Sequence, residues 1–138
     1  MKEVSTVLVC VTAQKSSENL VKAGKAIAER SNSALEVISV LPVVSSERID
    51  CQALDNVYTT AKKQGGEMVI FFSDDPILTV SAYAAKKKPI TLVTGFPAEE
   101  SNDFVSTIHM LLPRIPISMV DKEGTVYNIE CPAAEVRI

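Results

Sequence analysis

The chain has 138 residues and a formal net charge of −3, and 46% of its residues are hydrophobic. These values are typical of one globular domain and exclude an intrinsically disordered chain. The apolar runs are too short for a membrane span, and the absence of a basic stripe argues against nucleic acid or an anionic membrane as partner. Because the N-terminus also lacks a secretion signal, we expect a cytoplasmic protein.

The first half of the chain alternates buried strands with amphipathic helices. The predicted elements are a strand at Thr6–Val11, a helix from Ser16 or Ser17 to about Arg30, a strand at Ala34–Leu41 and a helix from about Ser46 to Gln64. Apolar spacing places the following residues on the inner side of the second helix: Ile49, Leu54, Val57, Tyr58 and Ala61. Gly65-Gly66 ends this helix because glycine adopts the left-handed cap conformation freely.

A strand–helix–strand unit spans Glu67 to Gly95. The continuous apolar run Met68–Phe72 predicts a strand covered on both faces. Asp74-Asp75-Pro76 then begins a helix, since aspartate caps free N–H groups and proline suits the first turn. Lys86–Lys88 and Pro89 end the helix, and Ile90–Val93 is the next buried strand.

The last third predicts a fourth helix, a fifth strand and one short extra strand. Ser101 or Asn102 caps the helix, whose apolar residues are Phe104, Val105, Ile108, Leu111 and Leu112. Pro113 ends it, and the fifth strand is Ile115–Val120. After a turn at Asp121–Gly124, Thr125–Ile129 forms a hairpin with the fifth strand or pairs across a dimer. We assign residues 1–124 to an α/β domain and residues 125–138 to a C-terminal strand and tail.

This order of elements predicts an α/β fold with an open, doubly wound parallel sheet. Right-handed crossovers favour a Rossmann-like strand order of 3-2-1-4-5, with the extra strand at the C-terminal side. Such sheets bind ligands at the carboxyl ends of the strands where the winding reverses, here with Thr12–Lys15 facing Thr94–Phe96. The candidate ligand-binding residues are Thr12, Ala13, Gln14, Val40, Ser73, Asp74, Thr94, Gly95 and Phe96.

Other reactive residue types do not form a recognisable catalytic or metal-binding pattern. Cys10, Cys51 and Cys131 are far apart and include no C-x-x-C pair, so we interpret them as reduced thiols. The single histidine, His109, has no neighbouring nucleophile or orienting acid in the sequence. Asp74-Asp75 is interpreted as an acidic helix cap. We therefore predict no catalytic residues, no metal site and no enzymatic activity.

Two long stretches resemble the universal stress protein family. VLVCVTAQKSSENLVKAGKAIAERSNSALEVISV resembles its opening strand–helix–strand, and MVIFFSDDPILTVSAYAAKKKPITLVTG resembles its later strand–helix–strand. The resemblance covers about Lys2 to Val120 and is strongest to the related domain of potassium-sensing histidine kinases. It implies the same 3-2-1-4-5 sheet, frequent homodimers through the fifth strand and, in one branch of the family, ATP binding.

The motif of the ATP-binding branch is incomplete in this sequence. Where that branch has an aspartate after the first strand, this chain has Thr12, and of the glycine loop after the fourth strand only Gly95 is kept. Ala98 takes the second glycine position, Ile108-His109 stands where Gly-Ser or Gly-Thr is expected, and Glu99, Glu100 and Asp103 add negative charge near the loop. Glycines let backbone N–H groups approach phosphates, so their loss disfavours ATP.

Cyclic di-AMP is disfavoured on similar grounds, so we predict no bound cofactor. The kinase-associated domains bind it through a Ser-x-Ser turn, replaced here by Thr12-Ala13-Gln14, and through aromatic residues that Leu35–Ser39 lacks.

The resemblance predicts a non-enzymatic protein that binds a small molecule or a partner in stress or cation-homeostasis signalling. A nucleotide-binding regulator (ATP or cyclic di-AMP) is the alternative, and a nucleotide hydrolase is the weaker one. A sensor kinase or a transporter is the expected partner. We also expect a homodimer built on the fifth strand and the segment after it, because Ile117, Met119 and Val126 lie at an edge that nothing obvious protects. The alternative is that Thr125–Ile129 folds back, covers this edge and leaves a monomer.

Overall fold

The computed structural model describes residues 4–11, 17–41, 51–95, 103–121 and 123–129. The strands are β1 (Thr6–Val11), β2 (Ala34–Leu41), β3 (Glu67–Phe72), β4 (Thr91–Gly95), β5 (Ile117–Val120) and β6 (Val126–Ile129). The helices are α1 (Ser17–Ser31), α2 (Cys51–Lys63), α3 (Pro76–Lys87) and α4 (Asp103–Leu111). Within these ranges, none of the helices combines the length and the apolar character that crossing a bilayer requires.

The strands form one sheet in the order β3-β2-β1-β4-β5-β6. All neighbouring pairs are parallel except β5 and β6, which are antiparallel. The predicted fold class, strand order and extra C-terminal strand are therefore confirmed. The chain builds outward from β1 to β3 on one side, then returns to place β4, β5 and β6 on the other side of β1.

The core lies on both faces of this sheet. On one face, side chains of β1 and β2 pack under α1 and α2, and on the other they pack under α3 and α4. The central strands are covered on both faces, since Val7, Leu8, Leu92 and Val93 have no exposed surface. Side chains alternate between the faces along each strand, which explains why β1 is a continuous apolar run.

The outer strand β3 is not covered on both faces, so that prediction was wrong. Ile70 is 39% exposed and Phe72 is 64% exposed. β3 pairs only with β2 and ends the sheet on that side, and a strand at a sheet edge has fewer packing partners than a central one. The apolar run predicted a strand correctly but could not tell an outer strand from a central one.

The inner side of α2 is rotated relative to the predicted one. Val57 and Ala61 are buried as expected, but Tyr58 is 44% exposed, and Lys62 Nζ lies 5.9 Å from the centre of its ring. Thr60 is buried instead, and its hydroxyl donates a hydrogen bond to Glu18 Oε1 at 3.2 Å. The predicted beginning of this helix at Ser46, and Ile49, lie outside the described residues.

The signals at both ends of α3 are confirmed. Asp75 is the N-cap, since its Oδ1 accepts a hydrogen bond from the Leu78 N–H at 3.1 Å, and Pro76 is the first helical residue. Lys88 adopts the left-handed conformation at the C-terminal end, and its N–H donates to the Ala84 carbonyl at 2.7 Å. Strand β4 then begins at Thr91, one residue later than predicted, and Ile90 is exposed.

A polar contact fixes the last turns of α3 against β2. The Tyr83 hydroxyl donates a hydrogen bond to Glu36 Oε1, and Lys87 Nζ lies 3.8 Å from Glu36 Oε2. The Phe71 ring meets the Tyr83 ring edge-on with 5.4 Å between the centroids. Burial, followed by the hydrogen bond and negative charge of Glu36, raises the pKa of Tyr83. These contacts hold α3 against β2 and β3.

The C-terminal part of the described chain folds back as a hairpin. β6 pairs antiparallel with β5, with Val120 opposite Val126 and Ile117 opposite Ile129, so the hairpin alternative is the one observed. β5 begins at Ile117, two residues later than predicted. Leu111, predicted to be packed, is exposed because it is the last residue of α4. The predicted caps Ser16, Ser101 and Asn102 lie outside the described residues.

Candidate functional site

The winding of the sheet reverses between β1 and β4, which lie side by side. Their register places Val7 opposite Thr91 and Val9 opposite Val93. β1 ends at Val11 and β4 ends at Gly95. In open α/β sheets, the helices that follow two such strands diverge to opposite faces and leave a crevice beyond the carboxyl ends. This edge, called below the β1/β4 edge, is the site that the strand order selects.

The structure describes five of the nine predicted site residues. Thr94 and Gly95 are the last two residues of β4, beside β1, and Val40 lies on β2, the other neighbour of β1. Ser73 and Asp74 follow β3. The remaining candidates lie outside the described residues: Thr12, Ala13, Gln14 and Phe96.

These five residues do not converge on one point. β1 and β2 lie between β3 and β4, so the ends of β3 and β4 are three strand spacings apart, roughly 14 Å at ~4.8 Å per spacing. Thr94 and Gly95 therefore belong to the β1/β4 edge, with Val40 one strand beyond β1. Ser73 and Asp74 lie too far along the edge to contact a small ligand held by β4.

Ser73 and Asp75 instead build the turn between β3 and α3. The Ser73 N–H donates to the Leu41 carbonyl at 2.8 Å, and the Ser73 hydroxyl accepts from the Asp75 N–H at 3.1 Å. Asp75 in turn caps α3, and its carbonyl accepts from the Thr79 hydroxyl at 2.9 Å. These bonds assign Ser73 and Asp75 a structural role.

The wall of the β1/β4 edge is close-packed and largely apolar. Val11, Leu20 and Thr94 are all buried. Gly95 is half-buried, and a methyl group added at its Cα would lie 3.7 Å from Leu20 Cδ1, an ordinary van der Waals distance. A small side chain can therefore be added at Gly95 without a clash with Leu20.

Cys10 does not supply reactive chemistry at this edge. It lies on β1 and packs in the core between the sheet and the α3/α4 layer. Burial raises the pKa of its thiol from 9.0 to about 12, so the thiolate that would act as nucleophile is scarce at neutral pH.

Nor do the described residues offer a metal site. Within the described ranges, no group of three or more His, Cys, Asp and Glu side chains is placed to hold a metal ion. His109 lies in the last turn of α4, and its buried Nδ1 has no hydrogen-bond partner among the described residues.

Several carboxylates lie among the described residues that follow the strands. In the first turn of α1 and in the turns after β3 and β5, the described ionisable side chains are carboxylates: Glu18, Asp74, Asp75, Asp121 and Glu123. Asp121 Oδ1 also accepts hydrogen bonds from the N–H groups of Glu123 and Thr125, at 3.0 and 2.9 Å, which holds that turn in place.

No protein-family model matches the sequence, and no curated protein sequence matches it at a significant level. Solved structures do match. A universal stress protein from Archaeoglobus fulgidus superposes with a TM-score of 0.64 at 14% identity, over 83% of this chain and 92% of that chain. A universal stress protein solved in complex with cAMP gives a TM-score of 0.65 at 16% identity, over 86% of this chain and 98% of that chain. The universal stress protein UspA from Lactobacillus plantarum gives a TM-score of 0.62 at 12% identity, over 88% of this chain and 99% of that chain.

The chain has the universal stress protein fold. The family resemblance found in the sequence is thus confirmed at the level of the fold, and nearly the whole length of each of these three structures takes part. In this chain the strand order reverses between β1 and β4, where the candidate edge lies. The closer resemblance to kinase-associated domains stays a prediction.

Sequence reasoning missed Leu20 and Ser39, which lie next to the candidate residues. Leu20 faces Gly95 from α1. Ser39 is fully buried on β2 opposite Val11, and its hydroxyl has no partner among the described residues. A lone serine inside the apolar run ALEVISVL was the available signal for Ser39, whereas only the packing of α1 on β4 identifies Leu20.

Proposed function

We propose that this chain is a non-catalytic protein of the universal stress type that binds a small adenine nucleotide at the β1/β4 edge. The observation that carries the proposal is the reversal of strand order between β1 and β4, with β4 ending at the half-buried Gly95. Two proteins with the same fold support the ligand class, since their structures are complexes with cAMP and with dAMP. The Archaeoglobus fulgidus protein in the dAMP complex is 15% identical to this chain.

The charge at this edge indicates which nucleotides fit. Both of those ligands carry a single phosphate. Asp121 follows β5, the neighbour of β4, and adds a carboxylate at this edge; a like-charge approach at ~4 Å costs on the order of 1 to 4 kcal/mol depending on exposure. A nucleotide with one phosphate meets less repulsion than ATP. We therefore propose that affinity falls from cAMP to AMP to ATP, and that cyclic di-AMP, with two phosphates and a larger ring, binds less well than cAMP.

Calorimetric titration of the purified protein with cAMP, AMP and Mg-ATP tests the ligand class. We expect a dissociation constant on the order of 10–1000 μM for cAMP and at least about tenfold weaker binding of Mg-ATP, in line with the cost of one like-charge contact. Micromolar Mg-ATP binding with no cAMP binding would overturn the charge argument and require a phosphate-binding loop outside the described residues.

Variants at Gly95 locate the site. Gly95→Ala should fold with near-normal stability because the added methyl group makes only an ordinary contact with Leu20. Gly95→Glu adds bulk and negative charge at the strand end and should abolish detectable cAMP binding. The matched control is Ala26→Glu, which adds the same charge on the exposed side of α1. Normal cAMP binding by Gly95→Glu would place the nucleotide elsewhere.

The absence of catalysis is part of the proposal. Two observations support it. The buried Cys10 thiol is poorly ionised, and His109 lies in the last turn of α4, which is not an element of the β1/β4 edge. A nucleotide hydrolase, the competing function, would convert cAMP or ATP during incubation. Recovery of both nucleotides unchanged is the expected result.

The biological role is proposed from the sequence resemblance. We propose stress or cation-homeostasis signalling in the cytoplasm, with a sensor kinase or a transporter as partner. Cation-transport genes beside the gene for this protein would support that role, and a neighbourhood without such genes would count against it.

We also propose a homodimer, now built on β6 rather than on β5. β6 occupies the outer edge of β5, and Met119, the predicted interface residue, is half-buried against the α3/α4 core. Val126 and Tyr127 are exposed on β6. Light scattering at ~10–100 μM should give twice the 14.9 kDa chain mass, and Val126→Lys should reduce it to the monomer, since an edge lysine blocks strand pairing. A monomer mass for the unmodified chain would rule the dimer out.

A further inference from the structure

A groove lies at the opposite end of the sheet from the β1/β4 edge. It has a volume of about 450 Å³, within the range of small-molecule sites. α1 packs on β1, β2 and β4, and the groove lies beside the C-terminal half of α1, over β4, β5 and β6. Its lining residues are Ile27, Arg30, Ile90, Thr91, Pro116, Ser118 and Asn128. We call it the Arg30 groove.

The buried hydroxyl groups on the floor of the Arg30 groove are engaged within the protein. The Thr91 hydroxyl donates to the Pro116 carbonyl at 3.1 Å, and the Ser118 hydroxyl donates to Asn128 Oδ1 at 2.8 Å. Each hydroxyl has one proton to donate. Asn128 Oδ1 accepts this hydrogen bond, and in this orientation of the amide the side-chain NH2 group of Asn128 can donate to a ligand. An amide NH2 group is a hydrogen-bond donor, so it favours a ligand with a hydrogen-bond acceptor.

The electrostatics of the Arg30 groove also favour an acceptor. Arg30 contributes a guanidinium group, and none of the lining residues that the structure describes is acidic. None of the ion pairs found among the described residues involves Arg30, and the adjacent Glu29 is paired with Lys25 at 3.9 Å. A guanidinium group binds a carboxylate through two parallel hydrogen bonds. The other lining residues, Ile27, Ile90 and Pro116, are apolar and suit the body of a ligand rather than its charge.

We infer that the Arg30 groove is a second ligand site, which binds a small carboxylic acid with an apolar body. Arg30 binds the carboxylate, and the amide NH2 group of Asn128 donates a hydrogen bond to it. The apolar body of the ligand lies against Ile27, Ile90 and Pro116. This site is separate from the β1/β4 edge and does not depend on nucleotide binding. A ligand of about a dozen heavy atoms in an open groove is expected to bind with a dissociation constant of about 0.1–1 mM.

The test is a titration of the ¹⁵N-labelled full chain with 3-phenylpropionate, followed by two-dimensional NMR. We expect saturable chemical-shift changes at the backbone amides of Ile27, Arg30 and Thr91 and at the side-chain NH2 group of Asn128. The uncharged 3-phenylpropanamide, of the same shape, should bind at least about tenfold more weakly because it lacks the carboxylate. Equal binding of the acid and the amide would overturn the role of Arg30.

Two variants test the assignment without disturbing the core. Arg30→Gln removes the cation at an exposed position, and Asn128→Asp is isosteric and places a negative charge in the groove. Each should weaken 3-phenylpropionate binding by about tenfold or more while the spectrum otherwise stays that of the folded protein. Lys22→Gln, an exposed change on α1 outside the groove, should leave the binding unchanged. Unchanged binding by both groove variants, or shifts that depend on protein concentration rather than on the added acid, would overturn the site.

Discussion

Gly24→Ala should destabilise the protein by about 1–3 kcal/mol, although alanine is the better helix former by about 1 kcal/mol. Gly24 lies inside α1, where it packs directly on β1. A Cβ atom at this position would lie 2.3 Å from Val9 Cγ2 and 3.3 Å from Leu35 Cδ1. Val9 is fully buried and β-branched, so its methyl group cannot turn away freely. The helix would have to move off the sheet, and urea unfolding measures the loss.

Two further variants separate the clash from helix propensity. Ala26→Gly, at an exposed position of the same helix, should cost about 1 kcal/mol through propensity alone. Val9→Ala removes the clashing methyl group, so the double variant Gly24→Ala/Val9→Ala should be more stable than the sum of the single changes predicts. A Gly24→Ala protein as stable as the unmodified one would show that α1 does not pack this closely on β1.

The Cys10 thiol should be almost unreactive in the folded protein. Burial raises its pKa from 9.0 to about 12, so the thiolate fraction at pH 8 falls by about 10³-fold. In a Cys51→Ser/Cys131→Ser protein, Cys10 is the only thiol, and its reaction with Ellman's reagent should be slower by at least that factor than in urea. Rapid labelling of the folded protein would mean that β1 is not a central, covered strand.

The same shift predicts how stability changes with pH. The pKa of Cys10 is higher in the folded state than in the unfolded state, so its contribution to stability is fully present below about pH 9 and is lost as the pH rises towards 12. The pKa of Tyr83 is also raised in the folded state, so its contribution to stability is likewise lost as the pH rises above about 10. A Cys10→Ala protein should therefore lose less stability between pH 9 and pH 11 than the unmodified protein does. Parallel pH profiles would contradict the assignment.

Much of the fold could be predicted from local pattern because the pattern reports burial directly. The bounds of β1 and β2 were predicted to the residue, and Asp75, Pro76 and Lys88 occupy the ends of α3 where capping rules place them. The errors on β3 and at Tyr58 fall on residues whose surroundings depend on the edge of the sheet. The exposed apolar side chains lie on β3, the outermost strand, and Tyr58 lies on α2, the helix over it. The spacing of apolar residues does not indicate whether a strand has a neighbour on both sides.

The candidate site could be predicted only as far as strand order determines it. Thr94 and Gly95 follow from the point where the winding reverses, but Ser73 and Asp74 were included because all parallel strands end at one edge, without regard to its width. The Arg30 groove could not be predicted at all. Its polar residues Arg30, Thr91, Ser118 and Asn128 are separated by up to a hundred positions in sequence, and only the sheet brings them together.

We expect a nucleotide with one phosphate to bind at the β1/β4 edge. The most direct measurement is a titration of the ¹⁵N-labelled protein with cAMP, followed by assignment of the backbone signals that shift. Saturable shifts should cluster at Val11, Leu20, Thr94 and Gly95, while signals of the Arg30 groove, at Ile27 and Thr91, should stay in place. A cAMP titration that leaves Thr94 and Gly95 unchanged, or that shifts the Arg30 groove instead, would contradict the claim.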